Sequence, residues 1–433
     1  MHKIDDFFKN GQEKNYIPHH LYHDYSVKKG LRNEDGTGVL VGLTKISDVV
    51  GYKWENGIKV DDYGCLFYRG IDIKDIIKQY GQDRYLFERT CFLILFGYLP
   101  DESEFNDFKT LLSSHYELPY EFLYQVILGG SGKNLMNKLQ QVILMMYNYD
   151  DDPDNIDVKE VLMKGMNILS KLPSMIVYSY QNKIHHYDSK SMIIHTPQTH
   201  LSIAEMILYL LRPDGSFTQK EAQVLDISLL LHADHGGGNN STFTNVVIGS
   251  TGTDLYSTIS GSIGSLKGPR HGGANLKVKD QMDKVIKDIG INASDEDIKD
   301  IVNKILDKQY NDHTGLVYGI GHAVYTLSDP RSDVLKQQCY ELAIEKDRLQ
   351  EFTFYEKFAN YAIEEIYKRK HKHVCTNVDF YSGLVYDMLK IPEDIYTLLF
   401  VMGRTAGWIA HNVENKLYSD KIIRPATLYV GNK

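Results

Sequence analysis

The chain has 433 residues, 42% hydrophobic and 24% charged, which is the composition of an ordinary globular protein too long for a single compact core. Two domains are therefore expected. A formal net charge of −9 argues against nucleic acid or an anionic membrane as partner, and it obliges any anionic ligand to find a local basic pocket. The four cysteines, Cys65, Cys91, Cys339 and Cys375, form no C-x-x-C motif. Neither a zinc ribbon nor a redox dithiol is indicated, and a reducing compartment fits best.

In chain order, residues 1–30 are polar and aromatic without clear periodicity. They carry neither the apolar core of a signal peptide nor an Arg-rich presequence. Residues 37–70 hold β-branched runs broken by Gly and Asp, the best strand candidates. From Ile71 onward helical patterns dominate. Leu86–Gly97, Met136–Met146, Leu201–Leu211 and Glu221–Leu231 repeat apolar residues at three- and four-residue steps. Pro213-Asp214-Gly215 predicts a turn, and Thr218 the cap of the next helix. A helix over Asp254–Lys267 presents Gly261, Gly264 and Ser265, small enough for a helix–helix seam, within the chain or between subunits. The charged stretch Lys277–Lys308 predicts a solvated amphipathic region opening a smaller domain. Lys368–His373 predicts a solvated helix end rather than a nucleic-acid patch. The longest apolar run, Ile395 to Ala410, is shorter than the ~20 residues of a membrane span and is interrupted by Arg404. A cytoplasmic, mainly α protein with a little β near the N-terminus is expected.

Four clusters could carry chemistry. In LLLHADHGGGNNSTFT (229–244), His232, Asp234 and His235 offer metal-ligand types, or else a polar helix end with hydrogen-bonded histidines. In LKGPRHGGANLKV (266–278), Gly272 and Gly273 let a backbone approach a ligand beside His271, or His271 is a surface histidine in a turn. In TGLVYGIGHAVYTLSDPR (314–331), Gly315, Gly319 and Gly321 can offer backbone N–H groups ahead of His322, but the dinucleotide G-x-G-x-x-G pattern is absent. In CTNVDFYSGLVY (375–386), Asp379 lies among Val378, Phe380 and Tyr381. Desolvation there would raise its pKa and make it a better base, whereas local grounds favour an N-cap aspartate. Arg404, inside FVMGRTAGWIA, needs an anion if buried; a protein carboxylate is the usual partner and a substrate carboxylate the less common one.

Taken together and in this order, HADHGGGN, GPRHGGAN, GIGHAVYTLSDPR, NVDFYSG, MGRTAGW and RPATLYVG resemble the citrate synthase family, as do YRGIDI (68–73) and AE…LYLLRPDG (204–215). The resemblance covers nearly all of the chain beyond about residue 37. It implies a mainly α, two-domain fold, with a large domain of residues 1–274 and 382–433 and a small, mobile, CoA-side domain of residues 275–381. It implies condensation of acetyl-CoA with oxaloacetate, a step of the tricarboxylic acid cycle. Asp379 would be the general base, His271 the hydrogen-bond donor to the thioester oxygen, and His322 the donor to the oxaloacetate ketone. His235, Arg331, Arg404 and Arg424 would bind the carboxylates, Arg424 from the partner subunit of a homodimer. Leu316, Val317, Gly319, Gly321 and Asn377 would contact CoA. No metal or other cofactor is implied, nor any nucleic-acid or membrane partner. The sequence departs from the family pattern at Thr326, where members often carry a basic residue, so the grip on the CoA phosphates must lie elsewhere. Alternatives are a 2-methylcitrate synthase using propionyl-CoA, a metal-dependent hydrolase built on His232, Asp234 and His235, and a helical scaffold without turnover.

Overall fold

The computed structural model describes residues 2–34, 36–269, 271–419 and 421–431, the side chains of residues 2, 3, 10 and 13 excepted. It forms two compact units, Met1–Leu43 and Thr44–Lys433. The first contains α1 (His2–Asn15) and α2 (His20–Asp24). No periodicity was expected here, yet α1 is helical. Ile4, Phe7 and Phe8 share one face, Asp5 sits in the first turn and Lys14 in the last, where each suits the helix dipole. Gly11 breaks the apolar stripe after Phe8, so the pattern is too short to stand out.

The second unit opens with an antiparallel sheet in the order β1 (Ser47–Glu55), β2 (Ile58–Tyr68) and β3 (Ile71–Asp72); β1 and β2 lie within the predicted 37–70, and β3 just beyond it, where helix was expected. Asn56 and Gly57, both at positive φ, make the two-residue turn of the β1–β2 hairpin. The register slips between Val50 and Tyr52, leaving a bulge at Gly51.

The remainder is helical: α3 (Ile73–Tyr80), α4 (Leu86–Phe96), α5 (Glu102–Ser113), a π-helical stretch (Phe122–Leu128), α6 (Leu135–Met145), α7 (Val158–Asp188), α8 (Ile203–Leu211) and α9 (Gln219–His232). Then follow α10 (Asn240–Gly249), α11 (Leu255–Lys267), α12 (Ala274–Ile289), α13 (Asp295–Leu306), α14 (Pro330–Glu345), α15 (Leu349–Lys370), α16 (Val378–Met388) and α17 (Glu393–Tyr418). Helix accounts for 59% and strand for 6% of the structure. Thr218 caps α9 in a reciprocal box with Glu221, as its spacing predicts.

The apolar run is the middle of α17, buried from Ile395 to Val413 and packed on α4, α7, α9 and α10. A helix apolar on every face belongs inside a core. Among the described residues no helix is long and apolar enough to cross a membrane. The small residues of α11 do form a seam, and helices of the same chain fill it: Gly261 faces Ile248 of α10 and Gly264 faces Gln140 of α6. Lys277–Lys308 folds as α12 and α13, which bury Val278, Met282 and Val285, and Ile298, Ile301, Val302 and Ile305. The basic run closes α15, with His371 left-handed at its end and solvent-exposed.

At Gly407 of α17 the helix meets the chain leaving α9. A Cβ there would overlap Asp234 Oδ1 and stand 2.5 Å from the Ala233 carbonyl oxygen. Backbone cannot yield as a side-chain tip can. Gly407→Ala is expected to destabilise the protein by about 1–3 kcal/mol in urea unfolding. Gly261→Ala meets only the Ile248 side-chain end and should cost less.

Candidate active site

The chain leaving α9 is held by a buried carboxylate. Asp234 Oδ2 accepts from Ser47 Oγ, from Gly236 N at 3.0 Å and from His411 Nε2 at 3.1 Å. Burial pushes this carboxyl up, but His411, Arg404 and Ser47 outweigh it and hold Asp234 well below the usual carboxylate range. The Tyr68 hydroxyl reaches the Leu230 carbonyl at 2.9 Å and the Asp234 carbonyl at 3.2 Å. His232, Asp234 and His235 engage three separate sets of neighbours. His232 Nε2 lies 3.3 Å from the Tyr386 hydroxyl, Asp234 faces Ser47 and His411, and His235 faces His322 and Tyr325. Among the described residues no three His, Cys, Asp or Glu side chains are placed to hold a metal ion.

The segment after the glycine loop carries the second group. His322 Nδ1 accepts from the N–H groups of Val324 (3.1 Å) and Tyr325 (3.2 Å). Two donors at Nδ1 leave the ring proton at Nε2. Burial and Arg331 push His322 down to about 4, so the ring is neutral at pH 7. Its Nε2 lies 3.5 Å from Arg331 Nη2. The His235 and His322 ring centroids are 5.1 Å apart. Arg331 is buried, and Asp329 accepts from its Nε at 3.0 Å and from its Nη2 at 2.7 Å. Burial alone would lower this guanidinium's pKa; Asp329 raises it.

Arg404 is buried with 0% exposure. Its Nε donates to the His232 carbonyl at 2.7 Å. Nη1 and Nη2 have no partner among the described residues, so the usual protein carboxylate is missing. Burial is the main reason its pKa falls to about 10, with Arg331 adding to it. Phe400, one helical turn earlier on α17, lies 4.8 Å from this guanidinium. The same ring lies 4.4 Å from the His232 ring and 6.1 Å from the His271 ring. His271 precedes α12, in a loop as expected. Its Nε2 is 3.0 Å from Asn239 Oδ1 and 3.2 Å from Ser241 Oγ. Trp408 Nε1 donates to the same Ser241 Oγ at 3.2 Å. Burial and Arg404 push His271 down to about 4.

Asp379 is not the cap of α16. Asn377 takes that place, accepting from Asp379 N at 3.0 Å, and this overturns the local preference for an N-cap aspartate. The Asp379 side chain is thereby free of helix duty, and its Oδ1 is buried without a partner among the described residues. Burial pushes the carboxyl up to about 7, against the pull of Arg331 and Arg404. His235, His271, His322, Arg331, Arg404 and Asp379 are thus linked by contact or by electrostatic coupling.

Arg424 lies apart. It is exposed in the extended tail after α17, where Ile423 N donates to Ser250 Oγ at 3.0 Å. Among the residues expected at CoA, Leu316 is exposed and Val317 is buried. Gly319 packs on Phe380 and Val278. Gly321 N donates to the Cys375 carbonyl at 2.7 Å, and Asn377 Nδ2 to the Gly321 carbonyl at 2.9 Å. The glycine loop is therefore docked on the strand-like segment leading to Asp379. Sequence reasoning missed Ser47, Tyr325, Phe400, Trp408 and His411. Ser47, Trp408 and His411 act across long sequence separations, and Tyr325 and Phe400, though near His322 and Arg404 in sequence, look like ordinary core aromatics until the fold is known.

Neutral imidazoles, buried guanidinium groups and a desolvated carboxylate in a mainly helical fold define the class, a helical protein built around an anion site with acid–base capacity. Residues 33–426 match the family described as citrate synthase, C-terminal domain. The chain is 34% identical over 413 residues to a citrate synthase of Haloferax volcanii, covering 94% of this chain and 96% of that one. It is 30% identical over 412 residues to 2-methylcitrate synthase 1 of Corynebacterium glutamicum, with 94% and 96% covered. The crystal structure of citrate synthase from Pyrobaculum aerophilum matches with a TM-score of 0.75 at 26% identity, over 93% of this chain and 94% of that one. The chain belongs to the citrate synthase family.

The Asp379 carboxyl has a pKa raised by folding. Stability from its neutral form is complete below the unfolded value of about 3.9 and is lost as pH rises through about 7. Asparagine cannot ionise. Asp379→Asn should therefore melt higher than wild type above pH 7, with the gap closing toward pH 4, as read by differential scanning calorimetry across that range.

Proposed function

We propose that the chain is a citrate synthase, an acyltransferase that condenses acetyl-CoA with oxaloacetate and water to give citrate and CoA. The observation that carries this reading is the Asp379 carboxyl, whose Oδ1 is buried without a partner among the described residues, within the field of Arg331 and Arg404. A thioester methyl is a very weak acid, so base and hydrogen-bond donor must act together on the developing enolate. Asp379 takes a methyl proton. His271 is assigned the hydrogen bond to the thioester oxygen, its ring held by Asn239 Oδ1 and Ser241 Oγ at 3.0 and 3.2 Å from Nε2. A positioned donor of this kind is worth about 3–4 kcal/mol.

The enol carbon attacks the oxaloacetate ketone. His322, with its proton at Nε2, donates to the ketone oxygen beside Arg331. Arg331 and Arg404 receive the carboxylates with His235, and their forked geometry suits bidentate pairing. The new carbon–carbon bond gives citryl-CoA. Water then attacks the thioester, the carbon–sulfur bond breaks, and CoA leaves as the thiol. This sequence needs no metal and no organic cofactor.

Leu316, Val317, Gly319, Gly321 and Asn377 are assigned to CoA. Thr326, whose hydroxyl is buried, leaves the CoA phosphates to other residues. Residues 275–381 would move as a small domain to close the site. A homodimer would bring Arg424 to the partner's dianion, which fits its exposure in an extended tail with exposed Ile422, Leu428 and Tyr429. We assign the protein to the cytoplasm and its reaction to the entry of the tricarboxylic acid cycle.

Thiol release should depend on oxaloacetate and run faster with acetyl-CoA than with propionyl-CoA; the reverse preference would make the protein a 2-methylcitrate synthase. Asp379→Ala should lower kcat by about 10²–10⁴-fold. The rate kcat/KM should rise with pH to about 7 and then level, because the base works ionised. The neutral imidazoles, at about 4, add no further limb near neutrality.

Asp379→Asn and Arg424→Ala chains, each inactive alone, should regain activity when unfolded and refolded together. If Arg424 acts across the interface, each mixed dimer has one intact site. If it acts within its own chain, no mixed dimer is active.

A further inference from the structure

Two glycines on neighbouring strands press on one segment of the site. A Cβ on Gly51, in the bulge of β1, would stand 2.5 Å from the Val324 carbonyl oxygen and 3.1 Å from Tyr325 Cα. One on Gly64 of β2 would overlap the Ser328 carbonyl oxygen and stand 2.7 Å from Tyr325 Cδ1 and 2.9 Å from Pro330 Cδ. Glycine inside a strand marks a close backbone approach, and a bulge next to a site re-aims what lies over it. Two polar contacts join the same surfaces. Gly64 N donates to Ser328 Oγ at 3.1 Å, and the Tyr325 hydroxyl donates to the Cys65 carbonyl at 3.4 Å. The hairpin is therefore fitted to residues 324–330 by the absence of two side chains, and not by an apolar patch that could slide.

Tyr325 is the residue held in this seat, and it is buried. Its ring stacks on His322, with centroids 4.8 Å apart and planes at 26°. The same ring meets His235 edge-on at 5.6 Å and has the Arg331 guanidinium 5.6 Å from its centre. One aromatic ring thus touches three of the groups assigned above to the dianion, while its hydroxyl is tied to the strand behind. Those three come from two distant stretches of chain, the loop after α9 and the segment entering α14, and need a common reference surface.

We infer that the bulged β1–β2 hairpin is a seat for Tyr325, and that Tyr325 is a positioning residue orienting His235, His322 and Arg331 around oxaloacetate. This rests on the oxaloacetate reading of the site. An error of about 1 Å in placing a catalytic group can cost on the order of 10²-fold in rate. The effect should fall on the substrate these groups hold, because the ring contacts of Tyr325 are to His235, His322 and Arg331.

The experiment compares the full-length wild type with Tyr325→Leu, Tyr325→Phe and Gly64→Ala. It measures both KM values, kcat, the melting temperature and the melting shift given by oxaloacetate alone. Tyr325→Leu should raise the oxaloacetate KM roughly tenfold or more, abolish the oxaloacetate melting shift and leave the acetyl-CoA KM near wild type. Tyr325→Phe keeps the ring and should recover most of both. Gly64→Ala should resemble Tyr325→Leu, since it displaces the ring from behind; if it does not fold, the Leu and Phe pair decides. A Leu variant with a lower melting temperature but wild-type oxaloacetate KM and melting shift would make Tyr325 core filler and overturn the inference alone. A wild type that neither binds oxaloacetate nor releases CoA would overturn the functional reading and the inference with it.

Discussion

The candidate site depends on a buried guanidinium, Arg404, whose two amino groups have no partner among the described residues. Arg404 is buried in the middle of α17, and among the described residues only its Nε has a hydrogen-bond partner, the His232 carbonyl. An unpaired buried charge opposes folding by several kcal/mol. The rest of the fold can be read as what tolerates that charge. Asp234 lies within its field, kept ionised by Ser47 and His411 as well as by the arginine. The aromatic face of Phe400 lies beside it, and an aromatic face attracts a cation. The imidazoles nearby, His232, His235 and His271, are held neutral by burial and by that same positive charge. The site is consequently a preformed deficit of negative charge, in a protein whose net charge is −9.

The two arginines are not equivalent. Arg331 has its own carboxylate, Asp329, and keeps a spare edge toward His322. It can therefore stay in place whether or not a ligand is bound. Arg404 has no such partner, so an incoming anion relieves more strain there than at Arg331. A paired arginine fixes geometry and an unpaired one supplies drive for binding, and a pocket for a dianion has use for both.

Much of the architecture could be read from local pattern. The strands within 37–70, the capping box at Thr218 and the small-residue seam of α11 all depend on residues within one or two turns of each other. Where pattern was short, as in α1 with its stripe ending at Phe8, the helix escaped notice. The site followed the same rule. The histidines and arginines stood out as residue types in unusual settings. Asp379 was ambiguous because Asn377, two residues earlier, can cap the same helix, and only the fold decides which of the two does so. Ser47 and Asp234 are 187 positions apart and Trp408 and Ser241 are 167 apart. No reading of neighbours along the chain could have paired them.

The electrostatics of the site also order the chemistry proposed for it. Arg331 and Arg404 pull the Asp379 carboxyl down against the push of burial. An anion seated on those guanidinium groups cancels their pull and leaves the push. The carboxylate then becomes a stronger base at the moment a ketone acceptor is in place, and a weaker one when the pocket is empty. Proton abstraction from a thioester without an acceptor would yield only a futile enolate. Coupling base strength to occupation of the neighbouring site by charge alone disfavours that event, and it does so without requiring any backbone to move.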